Sequence, residues 1–343
     1  MTRRWTHHPR SSPSGEGVRV ASQLTEAAPV STQGSLKDTA LGTLRGVGQV
    51  DFQASVLTSL VILAALWVES WEMGLFATLG AVVSTLTARL LAVPHDTLTQ
   101  GLMTYCGVLG SIAMVVYLGN HPSTYVMAVA AAVMCTLVTA TLNRLLNPFG
   151  LRAFTGPFCL VALVMVLGAP SFERVWHGTP ETAVTPATPR SPVVSWTDLW
   201  QGFFTNVSQI FFAGTWYVGL IMLVGLFLAG WKVGVFAVVG SVVGLLTAWA
   251  LGAPAVLIGE GIYGYNAVLT SLAFGVVLLR PTAWNYGFTV LAAAASTALT
   301  ASLSVLFETF GSHTFTWPFN ITTWALLAAV PFLPRITPLA DDS

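Results

Sequence analysis

Charged residues are scarce in this sequence. Asp, Glu, Lys and Arg make up only 8% of its 343 residues, whereas hydrophobic residues make up 54% and the mean hydropathy is +0.73. A soluble domain of this size would not tolerate that composition, so we predict a polytopic protein embedded in a lipid bilayer. The formal net charge is zero and the basic residues form no stripe, so nucleic-acid binding has no electrostatic support.

The sequence also lacks the motifs of metal, nucleotide and hydrolytic chemistry. None of its cysteines, Cys106, Cys135 and Cys159, has a partner at metal-ligand or CxxC spacing, and we interpret them as small buried core residues. It contains no HExxH, GxSxG or GxxxxGK[ST] pattern. We therefore predict a protein that is not an enzyme and uses no metal and no cofactor.

Long apolar runs are what the sequence does have. They cover residues 56–70, 73–93, 104–119, 124–144 and 149–168, and then 215–230, 232–251, 265–279, 283–306 and 315–333. Each approaches the roughly 20 residues that cross a bilayer. A short segment that opens at a proline, Pro94–Met103 or Pro254–Ile262, follows the second run of each half and suits a re-entrant half-helix.

The two halves repeat each other. When Trp71 is aligned with Trp231, and so on without gaps to Leu91 with Leu251, 11 of 21 positions are identical. They include tryptophan and glycine positions that an apolar bias alone would rarely match. This constant shift predicts a tandem duplication. Because each half has an odd number of spans, we expect an all-α protein of ten transmembrane helices in two inverted five-helix repeats, each with a re-entrant half-helix.

The positive charges support this topology. With the N-terminus in the cytoplasm, twelve of the fourteen Lys and Arg residues fall on the cytoplasmic side, and only Arg174 and Arg190 fall outside. We predict a multi-pass membrane protein with both termini in the cytoplasm. The predicted divisions are a disordered tail 1–44, a first repeat 45–170, an extracytoplasmic linker 171–200, a second repeat 201–334 and a C-terminal tail 335–343.

A helix-breaking motif occurs once in each half. Phe154–Phe158 and Phe315–Phe319 both read Phe-Thr-x-Pro-Phe inside an apolar run, where a proline should break the helix. Broken helices at matching places in two halves indicate a transport site near the bilayer midplane. Thr155 and Thr316 would each place a hydroxyl at the break. A single such threonine could instead bond to its own helix, but the pairing across the repeat favours a site.

A glutamine followed three residues later by a phenylalanine also recurs, as Gln49 with Phe52 and Gln209 with Phe212. An amide that donates and accepts, beside aromatic faces, would suit a planar neutral solute. For one copy, a glutamine at the membrane interface with a lipid-facing phenylalanine is an equal alternative. Two repeated leucines could narrow a lumen, although leucines in apolar spans are more often packing residues. These are Leu109 and Leu269.

In their order, these duplicated segments resemble the bacterial urea transporter family over about residues 49–331. The segments that carry the resemblance are Gln49-Val50-Asp51-Phe52 and Gln209-Ile210-Phe211-Phe212, Tyr105–Leu109 and Tyr265–Leu269, Asn147-Pro148-Phe149-Gly150, and the two Phe-Thr-x-Pro-Phe motifs. One departure is that Cys106-Gly107 and Asn266-Ala267 replace the Asn-Gly expected after the aromatic residue. Asp51 and Glu260 are two more, since each places a carboxylate inside an element of the family pattern.

The resemblance implies a homotrimer in a bacterial-type inner cell membrane, with urea as the solute and a passive, channel-like pore between the inverted halves of each protomer. Urea would occupy an outer and an inner stacking slot beside a selectivity filter at the midpoint, where half-helix carbonyls would accept hydrogen bonds from its amides. The slots would be lined by Gln49, Val50, Phe52, Leu109, Gln209, Ile210, Phe212 and Leu269, with Thr155 and Thr316 at the midpoint.

Two questions stay open from the sequence. Asp51 and Glu260 could modulate selectivity or pH response, although a headgroup-facing or helix-capping position is favoured for both. The alternatives to urea permeation are a channel for another small neutral solute (an amide, ammonia or water) and a proton- or sodium-coupled symporter, which would need Asp51 or Glu260 in the lumen.

Overall fold

The structure is a computed structural model that describes residues 35–178 and 193–339. Within those ranges the chain forms α-helices and no β-strand. The first seven are α1 (Leu36–Gly48), α2 (Val56–Glu69), α3 (Trp71–Leu90), α4 (His95–Thr99), α5 (Tyr105–Leu118), α6 (Pro122–Leu146) and α7 (Gly156–Gly168). The next seven are α8 (Trp196–Ser208), α9 (Trp216–Ala229), α10 (Trp231–Ala250), α11 (Ala255–Gly259), α12 (Tyr265–Leu272), α13 (Ala283–Thr309) and α14 (Trp317–Ala329).

The duplication is visible in where the helices begin. The shift that aligns Trp71 with Trp231 also aligns the first residue of each helix from α1 to α5 with the first residue of its counterpart among α8 to α12. For α6 and α7, the shift to the first residues of their counterparts α13 and α14 is one residue longer. Helix α12 continues as a π-helical segment, Ala273–Leu278, whose last residue aligns with Leu118, the end of α5. The repeat found in the sequence is therefore a repeat of structural elements.

Several helices satisfy the length and apolarity that a membrane span needs. Four do so alone, Trp71–Leu90, Pro122–Phe149, Trp231–Ala250 and Ala283–Thr309. Two bent pairs raise the number to six if each pair is one span, because α1 with its 3₁₀ extension meets α2, and α8 with its extension meets α9, at 75°. The described chain is thus a helical protein with four to six span candidates, and the count of ten stays a prediction.

The short helices α4 and α11 fold back against the first helix of their own half. A Cβ added to Gly42 of α1 would lie 2.3 Å from the carbonyl oxygen of Leu98, and one added to Gly202 of α8 would lie 2.3 Å from that of Ile258. Only glycine permits this approach of two backbones. The two pairs occupy equivalent positions in the repeat, so both halves seat their short helix in the same way.

A second contact in the same region pairs a glycine with a larger residue in both halves, but the glycine lies on opposite sides of the contact in the two halves. In the first half Gly46 lies against Thr104, where an added Cβ would be 2.3 Å from the threonine methyl. In the second half Asn206 replaces the glycine, and Gly264 replaces the threonine. Thr104 fills this space in the first half, and Asn206 fills the equivalent space in the second half, so that both halves remain closely packed.

The halves meet through equivalent elements. Helix α2 packs against α9, and α7 packs against α14. The Phe-Thr-x-Pro-Phe motifs precede or open α7 and α14, so this interface brings them together.

Two boundaries differ from those predicted from the sequence. Residues 36–44, assigned there to the disordered tail, belong to α1, whose N-terminus is capped by Ser35 and Asp38 in a capping box. Residues 196–200, assigned to the linker, open α8 with the same box formed by Ser195 and Asp198. These amphipathic helices carry fewer apolar residues than a span, so a search for apolar runs misses them. Residues 1–34, 179–192 and 340–343 lie outside the described residues.

We predict that Gly42→Ala and Gly202→Ala each destabilise the protein. The new methyl group would collide with a backbone carbonyl that cannot rotate away, and overpacking of this kind costs about 1–3 kcal/mol. The apparent unfolding temperature of the purified protein should fall in both variants. Gly287→Ala is the matched control, because its Cβ would meet nothing within 4 Å; an equal loss of stability in all three would contradict the packing role.

Candidate functional site

The chain adopts an unusual backbone conformation just before α7 and α14. Phe154 and Phe315 have φ angles of 46° and 45°, a left-handed region that costs a bulky residue roughly 1–2 kcal/mol. The hydroxyl of Tyr105 donates to the carbonyl oxygen of Phe154 at 2.7 Å, and that of Tyr265 donates to the carbonyl oxygen of Phe315. Both helix breaks are therefore held in one conformation by a tyrosine from the helix that follows the short helix of the same half.

The threonines that follow these phenylalanines touch each other. Thr155 and Thr316 are the N-cap residues of α7 and α14, and their Oγ1 atoms lie 2.6 Å apart. Both are only 2% exposed. A proline occupies the first turn of each helix, so the break comes just before the helix begins. The threonine hydroxyl therefore lies at the helix N-terminus. The two residues predicted to form the midpoint are in direct hydrogen-bond contact.

Two more polar side chains complete this contact, each one helical turn beyond a threonine. Cys159 Sγ lies 3.1 Å from Thr316 Oγ1. Asn320 Nδ2 donates to Thr155 Oγ1 at 2.9 Å and to the carbonyl oxygen of Thr316 at 2.8 Å. All three cysteines are free and buried, which confirms their interpretation as core residues, but Cys159 also reaches the site.

Two aromatic clusters each contain the phenylalanine that precedes one of the threonines. In the first, the Phe52 ring centroid lies 6.2 Å from Phe154 and 6.0 Å from Phe319, with edge-to-face geometry. In the second, the centroid of Phe212 lies 6.5 Å from that of Phe315 and 5.9 Å from that of Phe158. Each cluster takes two rings from one half and the third from the other. Both aromatic clusters therefore lie between the two halves.

The Gln-x-x-Phe elements form the tight turns that carry Phe52 and Phe212. Each is a 3₁₀ helix, Gln49–Asp51 or Gln209–Phe211, that ends at a phenylalanine with a φ of 62° or 64°. Gln49 donates from Nε2 to the carbonyl oxygen of Gln100, at the end of α4, at 2.9 Å. Gln209 is partly exposed. Strained phenylalanines at both ends of a site are typical of functional preorganisation.

The predicted apolar lining residues lie in the core beside these clusters. Val50 and Ile210 are 1% exposed, and Leu109 and Leu269 are fully buried in α5 and α12. Both leucines follow the anchoring tyrosines by four residues, so they lie one helical turn away on the same face. Their position fits both a narrowing of the lumen and ordinary packing, and the distinction between the two stays a prediction.

The position of Asp51 corrects the prediction of a headgroup-facing or capping carboxylate. Asp51 is fully buried, and neither carboxylate oxygen has a hydrogen-bond partner among the described residues. Its position inside the 3₁₀ turn, next to Phe52, directs it into the protein. Glu260 is only partly buried at the end of α11. Asp51 is thus a buried ionisable group beside the site, whereas Glu260 reaches the surface.

Several residues contribute to the site without being among the predicted site residues. The role of Tyr105 and Tyr265 as backbone anchors depends on a tertiary contact. Asn320 was hidden because its counterpart, Cys159, differs in chemistry. Tyr117 stacks on His313 with centroids 3.9 Å apart and also meets the second aromatic cluster at Phe212. Neither residue of this stack has a repeated counterpart in the other half, so the stack can be recognised only from the ring-to-ring distance in the folded structure.

Comparison with known proteins places these features in a family. The family model described as "Urea transporter" matches residues 41–331. The chain is 33% identical over 302 residues to urea transporter 1 of Capra hircus and to that of Ovis aries, covering 85% of this chain and 77% of each relative. It is 29% identical over the same length to urea transporter 1 of Rattus norvegicus.

We predict that Tyr105→Phe and Tyr265→Phe each destabilise the protein by about 0.5–1.5 kcal/mol, because each removes the hydrogen bond that holds a left-handed phenylalanine. A thermal denaturation series of purified variants measures this. Tyr125→Phe is the control, since Tyr125 packs against Phe76 and its hydroxyl has no hydrogen bond within the described residues. Unchanged stability of both anchor variants would show that the break holds without them.

Proposed function

This chain belongs to the urea transporter family, and we propose that it conducts urea passively through a pore between its two halves. Urea transport follows from the family. The passive mode rests on one observation, the hydrogen-bonded pair of Thr155 and Thr316, each of which follows a phenylalanine of an aromatic cluster. Such a lining offers hydroxyls and ring surfaces to a neutral planar solute and offers no charge to a coupling ion.

The proposed pathway runs from one aromatic cluster to the other. Phenylalanine rings at either end would hold the urea plane and exclude hydrated ions, because an aromatic surface cannot replace an ion's hydration shell. Gln49 and Gln209 would bind the amide groups in these slots. Each cluster takes rings from both halves, which supports a pore between them. Four apolar residues would narrow the lumen, namely Val50, Leu109, Ile210 and Leu269.

At the midpoint the solute must separate the two threonines. Their hydroxyls lie 2.6 Å apart in a buried contact, so no solute fits between them as they stand. Urea can replace that hydrogen bond because its carbonyl accepts from one hydroxyl while an N–H donates to the other. The exchange breaks one hydrogen bond and forms two, which lowers the barrier for a solute with both functions.

The finer architecture is part of the proposal. We assign ten spans in two inverted repeats, with α4 and α11 as re-entrant half-helices. The contacts of α2 with α9 and of α7 with α14 support a two-fold relation, and the distribution of Lys and Arg supports cytoplasmic termini in an inner membrane. The homotrimer rests on the family resemblance and is tested by the mass of the purified complex.

We predict that Thr155→Val together with Thr316→Val lowers urea permeability about tenfold or more. Two hydroxyls that bond the solute at the barrier are lost, and each hydrogen bond is worth about 0.5–1.5 kcal/mol. Stopped-flow urea efflux from proteoliposomes measures the effect, with formamide, glycerol and water as comparison solutes. Faster flux of glycerol or water than of urea through the unmodified protein would favour a different neutral solute.

The matched control for the threonine variants is Thr289→Val. Thr289 is fully buried in α13, and its hydroxyl bonds only to the carbonyl of Asn285 in the same helix. Its loss should leave urea flux near the unmodified value. Unmodified flux in the double valine variant would refute the midpoint assignment.

Buried Asp51 favours one competing function, proton-coupled transport. A carboxylate buried without a partner is costly in its charged form, and intramembrane acids of this kind carry protons in pumps and transporters. Under the passive mechanism, urea uptake is insensitive to proton and sodium gradients, and Asp51→Asn keeps that insensitivity. Uptake driven by an imposed gradient, and abolished by Asp51→Asn, would establish coupling instead.

A further inference from the structure

Asn320 connects the two halves at the threonine pair. It lies one turn into α14 with its side chain fully buried. Its Nδ2 atom lies 2.8 Å from the carbonyl oxygen of Thr316 and 2.9 Å from Thr155 Oγ1. A carbonyl oxygen only accepts hydrogen bonds, so the atom facing it is the nitrogen, and the orientation of the amide is fixed by this contact.

The other end of the amide has no partner. Asn320 Oδ1 is buried and accepts no hydrogen bond from any described residue. Buried acceptors are normally satisfied because an unmade hydrogen bond destabilises the folded protein. The bond to Thr316 alone would be an ordinary bond within one helix, but that explanation leaves both the bond to Thr155 of the other half and the unpartnered oxygen without a cause.

The hydrogen bonds of Asn320 also determine which threonine of the pair donates and which accepts. Thr155 Oγ1 accepts from Asn320 and is therefore ready to donate its own proton to Thr316 Oγ1, 2.6 Å away. The counterpart of Asn320 in the first half is Cys159, whose sulfur lies 3.1 Å from Thr316 Oγ1. A thiol is a weak hydrogen-bonding group. The hydrogen bond that Cys159 makes to Thr316 is therefore weaker than the one that Asn320 makes to Thr155.

We propose that Asn320 is a specificity-determining residue for urea at the midpoint, a role that rests on the proposed function. Its Nδ2 holds the hydroxyl of Thr155 as a donor for the urea carbonyl, and its free Oδ1 accepts from one urea amide group. The second amide group donates to Thr316 Oγ1. Urea then satisfies three groups at once and reaches the two acceptors from two separate nitrogens, whereas an amide with a single NH₂ group would have to reach both acceptors from one nitrogen.

The first test compares urea with acetamide, in which a methyl group replaces one NH₂. Asn320→Cys gives both halves the same residue at this position and removes both the Oδ1 acceptor and the Nδ2 donor. Loss of the donor affects the Thr155 hydroxyl for both solutes alike, whereas loss of the acceptor affects urea alone. The ratio of urea to acetamide permeability of proteoliposomes should therefore fall about fivefold, the size expected for one hydrogen bond. A merely structural role would slow both solutes equally.

The second test exchanges the two residues. Cys159→Asn combined with Asn320→Cys moves the amide to the other half, where the two-fold relation would place its nitrogen on Thr316 Oγ1 and on the carbonyl of Thr155. The ratio of urea to acetamide permeability should return to within about twofold of the unmodified value. If Asn320→Cys alone does not fold, the folded double variant still tests the proposal through this ratio.

The outcomes separate the two claims. An unmodified protein that conducts no urea refutes the proposed function. An unmodified protein that conducts urea, with a ratio unchanged in Asn320→Cys or still low in the folded double variant, overturns only the role of Asn320.

Discussion

The site depends on the way two breaks in apolar helices satisfy their backbone groups. A carbonyl freed inside a membrane protein has no water to bond, so it needs a partner from the protein. Tyr105 and Tyr265 supply that partner to Phe154 and Phe315. With each carbonyl held, the following threonine is placed at the start of its helix, and the packing of α7 on α14 brings the two threonines into contact.

Around this contact the chain uses neutral chemistry almost throughout. Hydroxyl, amide and aromatic groups line the interface between the halves, and a neutral solute can exchange hydrogen bonds there without the desolvation cost of an ion. Asp51 is the exception, since it is buried next to Phe52 and its carboxylate has no hydrogen-bond partner in the part of the chain that the structure describes.

Much of the site could be predicted because the duplication marks it. Thr155 with Thr316, and Phe52 with Phe212, occur at matching positions, and a polar or aromatic residue repeated across two halves is seldom incidental. Residues that break the repeat were missed for the same reason. Asn320 faces Cys159 across the repeat, and His313 stacks on Tyr117 without a counterpart. The helix 36–48 was assigned in part to a disordered tail because its apolar face is narrower than that of a span.

By itself, the sequence determined the class of protein, the duplication and the positions of both helix breaks, because composition, a constant shift between the halves and proline can all be read along the chain. Only the tertiary structure decided which atoms meet. The 2.6 Å contact between Thr155 and Thr316, the burial of Asp51 and the free oxygen of Asn320 depend on how the two halves pack. The duplication marks Thr155 and Thr316 as a pair, but it carries no distance between their atoms, and close packing of the two halves sets that distance.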